Sequence, residues 1–250
     1  MKIDIKSLKK SFGSHIVLDG IDLTIEDGKT TVIIGQTGCG KSVLIKHIIG
    51  LLKPDDGQIL IDGVEFTNMK GKEFSNIIKN FGVLFQNAAL FDSMTTGENV
   101  AFPLIEHTKL SKKEIDKKVE EKLAIVGLKG VEQLYPSELS GGMKKRVGLA
   151  RAIALDPKML IFDEPTTGLD PVMSDTIDNL IVDTQKHLGV TSIVISHDIQ
   201  GTFKIAHRIA MLYKGKVVLY GSPDDFKNTE NPIVRQFLER RAEGPLQVEV

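Results

Sequence analysis

The chain has 250 residues, of which 41% are hydrophobic and 26% charged, the balance of a soluble globular protein with a substantial core. Its 32 basic and 33 acidic residues leave a net charge of −1, so no global basic field recommends nucleic acid as a partner. The single cysteine, Cys39, excludes an internal disulfide and fits a reducing compartment. The opening MKIDIKSLKK lacks an apolar signal segment, and no apolar run approaches the roughly 18 residues that span a bilayer. A membrane role therefore has to come through a partner.

In chain order, residues 1–34 alternate apolar and polar positions with Asp-Gly pairs, the pattern of strands and hairpins. TVII at 31–34 reads as a buried strand running into a Gly-rich loop, and VLIKHIIGLL at 43–52 as the helix after it. GQILIDGVEF at 57–66 reads as strand, turn, strand. The texture changes near Ala88. SKKEIDKKVEEKLAIVGL at 111–128 has Ser111 and Glu114 at capping-box spacing, and Ile115, Val119, Leu123 and Val126 on one face of a helix whose other side is solvated. Strands return at MLIF (159–162), TSIVIS (191–196) and AMLY (210–213), separated by helical stretches. Strand–helix alternation predicts a largely parallel α/β sheet. The expected division is a core of 1–87 and 154–225, a helical insertion at 88–153, and a charged tail at 226–250.

GQTGCGKS at 35–42 matches the phosphate-loop pattern G-x-x-x-x-G-K-[ST], with a strand before it and a helix after. Gly35, Gly38 and Gly40 let the backbone close on phosphate oxygens, with Gln36, Thr37 and Cys39 between them. Lys41 suits the outer phosphates of ATP and Ser42 suits Mg²⁺. Cys39, at a helix N-terminus beside Lys41, is expected to favour its thiolate, to alkylate readily, and to be protected by ATP; the alternative is a small side chain packed inert under the loop. MLIFDEP delivers Asp163 and Glu164 to a strand's carboxyl end, where open α/β sheets place ligands. Taken alone, such a pair is more often a helix cap. Beside a phosphate loop, Asp163 suits the Mg²⁺ shell and Glu164 the general base. His197 and Gln86 also follow strands, as a γ-phosphate contact and as a reporter on Mg²⁺ or water. LSGGM at 139–143 reads as a second helix start presented to an anion.

Together these motifs resemble the ATP-binding cassette (ABC) ATPase family over about residues 1–225. The resemblance implies a P-loop NTPase core with an antiparallel β subdomain and an inserted α-helical subdomain. It makes 35–42 the Walker A loop, 159–164 Walker B, Gln86 the head of the Q-loop, Gly168-Leu169-Asp170 the D-loop and His197 the switch histidine. Phe12 stands where the family often has a Tyr stacking on adenine, and the LSGGM signature has Met143 where the family commonly has Gln. It also implies a head-to-tail homodimer in which Ser140, Gly141 and Gly142 of one copy cover the γ-phosphate on Lys41 of the other. The second anion-facing helix thus serves the partner's nucleotide.

LFQNAALFDSMTTGENVAFPL (84–104), SGGMKKRVGLARAIALDP (140–157) and NPIVRQFLERRAEGP (231–245) resemble more narrowly the ATPase subunit of Mla/Mce-type phospholipid transporters. That family implies a peripheral ATPase dimer on the cytoplasmic face of the inner membrane, under a permease, with Mce-type substrate-binding proteins beyond it. A permease is expected against Asn87 to Val100, where Ala88, Ala89, Leu90, Phe91 and Met94 need cover, from a partner or from the helical subdomain itself. Two other readings stand beside this one. The first is a regulatory, division-type cassette or an ATPase for another cargo. The second is a soluble ABC ATPase acting on DNA or ribosomes, which usually needs tandem cassettes or a long coiled-coil insertion.

Overall fold

The computed structural model of the protein describes residues 1–246; the end of the expected tail, 247–250, lies outside the described residues. The chain divides into two compact units, one of residues 2–69 with those from Ile195 onward, the other of Met1 with residues 70–194.

The first unit opens with β1 (Ile3–Phe12), β2 (His15–Ile25) and β3 (Thr30–Ile34), then α1 (Lys41–Ile48), β4 (Asp56–Ile61) and β5 (Val64–Glu65). An antiparallel sheet runs in the order β2-β1-β4-β5. In it Ile3 pairs with Ile25 and Ile61, and Ile5 with Leu23 and Ile59, so the alternation read from the sequence puts one apolar face inward. All five residues of β3 are buried, as a parallel strand covered on both faces requires. The helix read at 43–52 starts earlier, at Lys41, because Gly40 is its N-cap, and stops before Gly50, whose φ of 72° no helix continues through.

The second unit holds α2 (Gly71–Ile78), β6 (Phe81–Leu84), α3 (Thr96–His107), α4 (Lys112–Ile125), α5 (Gly141–Ala152), β7 (Met159–Asp163), α6 (Pro171–Leu188) and β8 (Thr191–Ile195). β6 and β7 pair in parallel with Leu84 opposite Phe162. The capping box at α4 forms as read: Ser111 N–H donates to Glu114 at 2.7 Å and Ser111 Oγ accepts from Glu114 N–H at 3.4 Å. Ile115, Val119, Leu123 and Val126 are buried. Thr95 and Glu98 make a second box at α3. Behind it the fully buried Asn99 accepts from Phe91 N–H at 2.9 Å and donates to the carbonyls of Phe91, Met94 and Thr95. One amide thus stands in for backbone pairing that the loop 91–95 cannot make itself.

The chain then returns to the first unit with α7 (Ile199–Ile205), β9 (Arg208–Tyr213), β10 (Lys216–Gly221), α8 (Pro223–Lys227) and α9 (Pro232–Leu238). β9 pairs in parallel with β3, Met211 opposite Ile34, and in antiparallel with β10. Beyond α9, the buried Gln236 accepts from Leu246 N–H at 2.7 Å and donates to the carbonyls of Arg241 and Leu246. At the other end of the unit, Glu26 after β2 accepts hydrogen bonds from Lys29 and from Arg208 Nε. These two cations hold its carboxyl down at about 2, against 4.5 ordinarily.

A carboxylate depressed in the folded state stabilises fully above its unfolded pKa, and that stabilisation is lost as pH falls toward the folded value. The urea midpoint of Glu26→Gln is therefore expected below wild type at pH 7, with the gap narrowing between about pH 4.5 and pH 2. A gap of equal size at pH 7 and pH 2.5 would show that Glu26 does not act through its charge.

Candidate functional site

In the first unit the loop 35–42 leaves the end of β3. Gly35 has φ 147° and a Cβ there would collide with the carbonyl of Leu212; Gly40 has φ 103° and a Cβ would lie 2.8 Å from Leu18 Cδ2. Only glycine allows this path. α1 has no side-chain cap and no acidic residue in its first turn, so its leading N–H groups are left for an anion. Lys41 is buried, its ammonium donating to the carbonyls of Gly35 and Gln36 at 2.8 Å each. Ser42, Thr37 and Gly38 are exposed. Beside the loop a cleft of about 830 Å³ is lined by His15, Ile16, Val17, Tyr213 and Lys214. Phe12 stands exposed at the hairpin tip, paired across to His15, with the Lys10 ammonium 5.6 Å from its ring. His197 is exposed just after Ser196, whose N–H donates to Ile33 O at 3.2 Å, so Ser196 lies beside the start of the phosphate loop.

In the second unit the pairing of Leu84 with Phe162 makes Gln86 and Glu164 leave adjacent strand ends. Asp163 and Glu164 are half-buried and Gln86 is exposed. Glu164 holds a left-handed φ of 48°, a conformation that costs a non-glycine residue on the order of 1–3 kcal/mol and gathers at functional sites. Thr167 steadies it twice: its N–H donates to Glu164 O at 3.2 Å and its hydroxyl to Oε2 at 3.1 Å. Asp170, exposed, caps α6 by accepting from the N–H groups of Val172 and Met173 at 3.0 Å each. Ser140 caps α5, with Gly141 exposed beside it and no acid in the first turn.

The apolar segment after Gln86 is divided. Ala88 is buried, Leu90 and Met94 are half-buried, and Ala89 and Phe91 are exposed. A groove of about 320 Å³ is lined by Phe85, Ala89, Phe91, Phe102, Pro103 and Arg151. Arg151 donates to the carbonyls of Ala88 and Ala89 at 2.6 and 2.8 Å and lies 5.7 Å from the Phe91 ring. Both alanines have positive φ, so the guanidinium pins a loop that its own residues would not hold.

A family profile described as "ABC transporter" matches residues 18–167. The chain belongs to the ABC transporter ATP-binding family. It is 41% identical to the intermembrane phospholipid transport system ATP-binding protein MlaF of Escherichia coli, over 98% of this chain and 91% of that protein. It is 44% identical to the "probable ribonucleotide transport ATP-binding protein mkl" of Mycobacterium tuberculosis, over 98% of this chain and 68% of that protein. Among solved structures, a dimeric ATP-binding cassette in a post-hydrolysis state with ADP and Pi matches with TM-score 0.80 at 30% identity, covering 88% of this chain and 98% of that one. The cassette cbiO1 from Clostridium perfringens matches at 0.84 and 32%, covering 96% and 95%. The protein is an ABC ATPase with the P-loop fold that its motifs imply, and it binds ATP.

Sequence reading did not find Tyr213, Lys145, Arg151 or Thr167. Tyr213 was within reach, since it ends a strand parallel to the one carrying the phosphate loop. For Cys39 the structure favours the packed side chain over the reactive thiolate. Its Sγ packs against Gly35, 2.8 Å from where a Cβ would sit, and burial raises the thiol above its ordinary value despite the nearby Lys41 ammonium. The helix N-terminus and one cation do not outweigh desolvation here.

Maleimide labelling of Cys39 at pH 7 is accordingly expected to be at least about tenfold slower in the folded, ATP-free protein than in urea, and to accelerate above pH 9. Mass spectrometry of timed samples measures both. Labelling as fast as in the unfolded chain would restore the reactive-thiolate reading.

Proposed function

We propose that this ATPase powers phospholipid transport as a homodimer under a membrane permease. The observation carrying this reading is the identity with MlaF, 41% over nearly the full length of both chains. A solved relative at 30% identity is dimeric and holds ADP and Pi. The second reading, another cargo, rests on mkl, whose printed name is a ribonucleotide transporter. The chain accounts for 91% of MlaF but only 68% of mkl, which favours the lipid assignment.

The site residues take these roles. The backbone of Gly35 to Gly40, including Gln36, Thr37 and Cys39, wraps the phosphates while Lys41 neutralises them. Phe12 and the cleft beside Tyr213 take the adenosine. Ser42 in the first unit, and Asp163 and Gln86 in the second, each offer the oxygen donor that a hard cation takes. Mg²⁺ would offset charge on the phosphate oxygens. Glu164 accepts a proton from the attacking water and His197 steadies the γ-phosphate. Ser140, Gly141 and Gly142 of a second copy close over the nucleotide, with Asp170 at the junction. ATP then favours the closed pair and hydrolysis releases it. No helix among the described residues is long and apolar enough to cross a membrane. In this proposal the ATPase sits on the cytoplasmic face of the inner membrane, and an Mce-type substrate-binding protein reaches it through the permease. The helical segment 88–153 is the arm that presents the Phe91 groove to that permease.

Glu164→Gln is expected to bind ATP normally, to lose at least about 100-fold in steady-state phosphate release, and to run as an ATP-stabilised dimer on size exclusion. Turnover within a few-fold of wild type would remove Glu164 as the base. Phe91→Asp should leave ATP binding by the isolated subunit intact while weakening permease pull-down and ATP-driven lipid transfer in proteoliposomes. Unchanged pull-down and transfer would move the docking site elsewhere. A wild-type complex that hydrolyses ATP and moves ribonucleotide but no phospholipid would favour the other-cargo reading.

A further inference from the structure

Lys145 is an ionisable residue in the body of α5 and only 5% exposed. A buried ammonium costs several kcal/mol unless it is paired or hydrogen-bonded. Its bonds are all in one place: Nζ donates to Pro165 O at 2.5 Å and to Thr167 O at 2.8 Å. These carbonyls flank the turn that begins at Glu164, with its left-handed φ, and ends at Thr167, whose hydroxyl holds the Glu164 carboxylate. Burial pushes the Lys145 ammonium below its ordinary value, and the nearby Glu164 carboxylate offsets part of that.

The same helix starts at Ser140 and carries Arg151 in its last turn, on the carbonyls of Ala88 and Ala89. One rigid helix thereby holds two loops through backbone carbonyls, the turn after Glu164 and the segment after Gln86. A merely packing role for Lys145 would be served better by leucine or methionine, which carry no desolvation cost.

We infer that Lys145 is a positioning residue for hydrolysis: by fixing the carbonyls of Pro165 and Thr167 it sets the strained turn that aims the Glu164 carboxylate. It touches no substrate and acts through Glu164, so this inference rests on the general-base role proposed above. A misplaced base loses on the order of 100-fold in rate without loss of binding.

The test uses the full chain with Mg-ATP. Lys145→Met is expected to lower kcat by about 100-fold with KM and nucleotide affinity within about twofold of wild type. Lys145→Arg, which keeps a cation able to donate to both carbonyls, is expected to recover kcat to within about tenfold of wild type. In single-turnover experiments, adding Lys145→Met to Glu164→Gln should cause no further loss, because the two act as a unit. If Lys145→Met does not fold, Lys145→Gln, whose amide still donates, is read through the same KM-against-kcat split. Near-wild-type kcat in Lys145→Met beside an inactive Glu164→Gln overturns the positioning role alone. A loss of equal factor in the wild-type and Glu164→Gln backgrounds overturns it too, as does a loss that appears in KM. Wild-type turnover by Glu164→Gln instead overturns the base assignment.

Discussion

Parallel strand pairing is the constraint that the site depends on. Parallel neighbours finish at the same edge, so whatever follows them is delivered there together. The pairing of β6 with β7 brings out Gln86 and Glu164 side by side, and that of β3 with β9 brings out the phosphate loop beside Tyr213. Gln86, Glu164 and the phosphate loop lie beyond their strands and Tyr213 ends its own, yet each is placed by a buried strand whose register cannot slip without exposing its apolar side chains. Within each unit the chemistry is therefore positioned by residues that take no part in it, such as Ile34, Leu84 and Phe162.

Side chains then fix what the strands leave loose, and they do so through backbone carbonyls. Asn99, Lys145, Arg151 and Gln236 are each tied to several main-chain groups of a loop. A loop with positive φ at alanine or glutamate has no intrinsic preference for its shape. Satisfying its carbonyls with one rigid donor selects that shape at the expense of a buried polar group. Lys122 acts instead through a side chain: it pairs with the carboxylate of Asp156, a residue with φ 53°, and although burial pushes that carboxyl up, Lys122 and Lys118 hold it below its usual range.

This division explains what the sequence made legible. The strands β1 and β2, whose alternation is broken by register shifts between Ile5 and Ser11, the apolar runs of β7 and β8, and the Ser111–Glu114 cap are local patterns, and all formed. The phosphate loop announces itself because glycines and lysine must sit at fixed spacing. The clamps do not: Lys145 and Arg151 stand in a basic run, KKRVGLARA, with no local mark of which cation is to be buried, and only the tertiary packing selects it. Cys39 failed for the opposite reason. Its neighbours in sequence favour a thiolate, while in the fold its Sγ packs against Gly35, four residues away, and burial raises the thiol.

Helix starts carry one more signal that is local and was partly visible. Among the described helices of eight residues or more, α2, α3, α4 and α6 each have a carboxylate at the N-cap or in the first turn: Glu73, Glu98, Glu114 and Asp170. Those carboxylates answer the positive end of the helix dipole, which is worth about 0.3–1 kcal/mol to each helix. α1 and α5 have none. A carboxylate there would stabilise the empty protein and repel any phosphate that approached. Leaving both helix starts without one gives up that increment in the resting state and keeps two positive ends open. The two are α1, behind the phosphate loop, and α5, behind Ser140. In a single copy this is one more phosphate-ready helix than a nucleotide needs; in the homodimer proposed above, the spare helix of each copy would meet its partner's nucleotide.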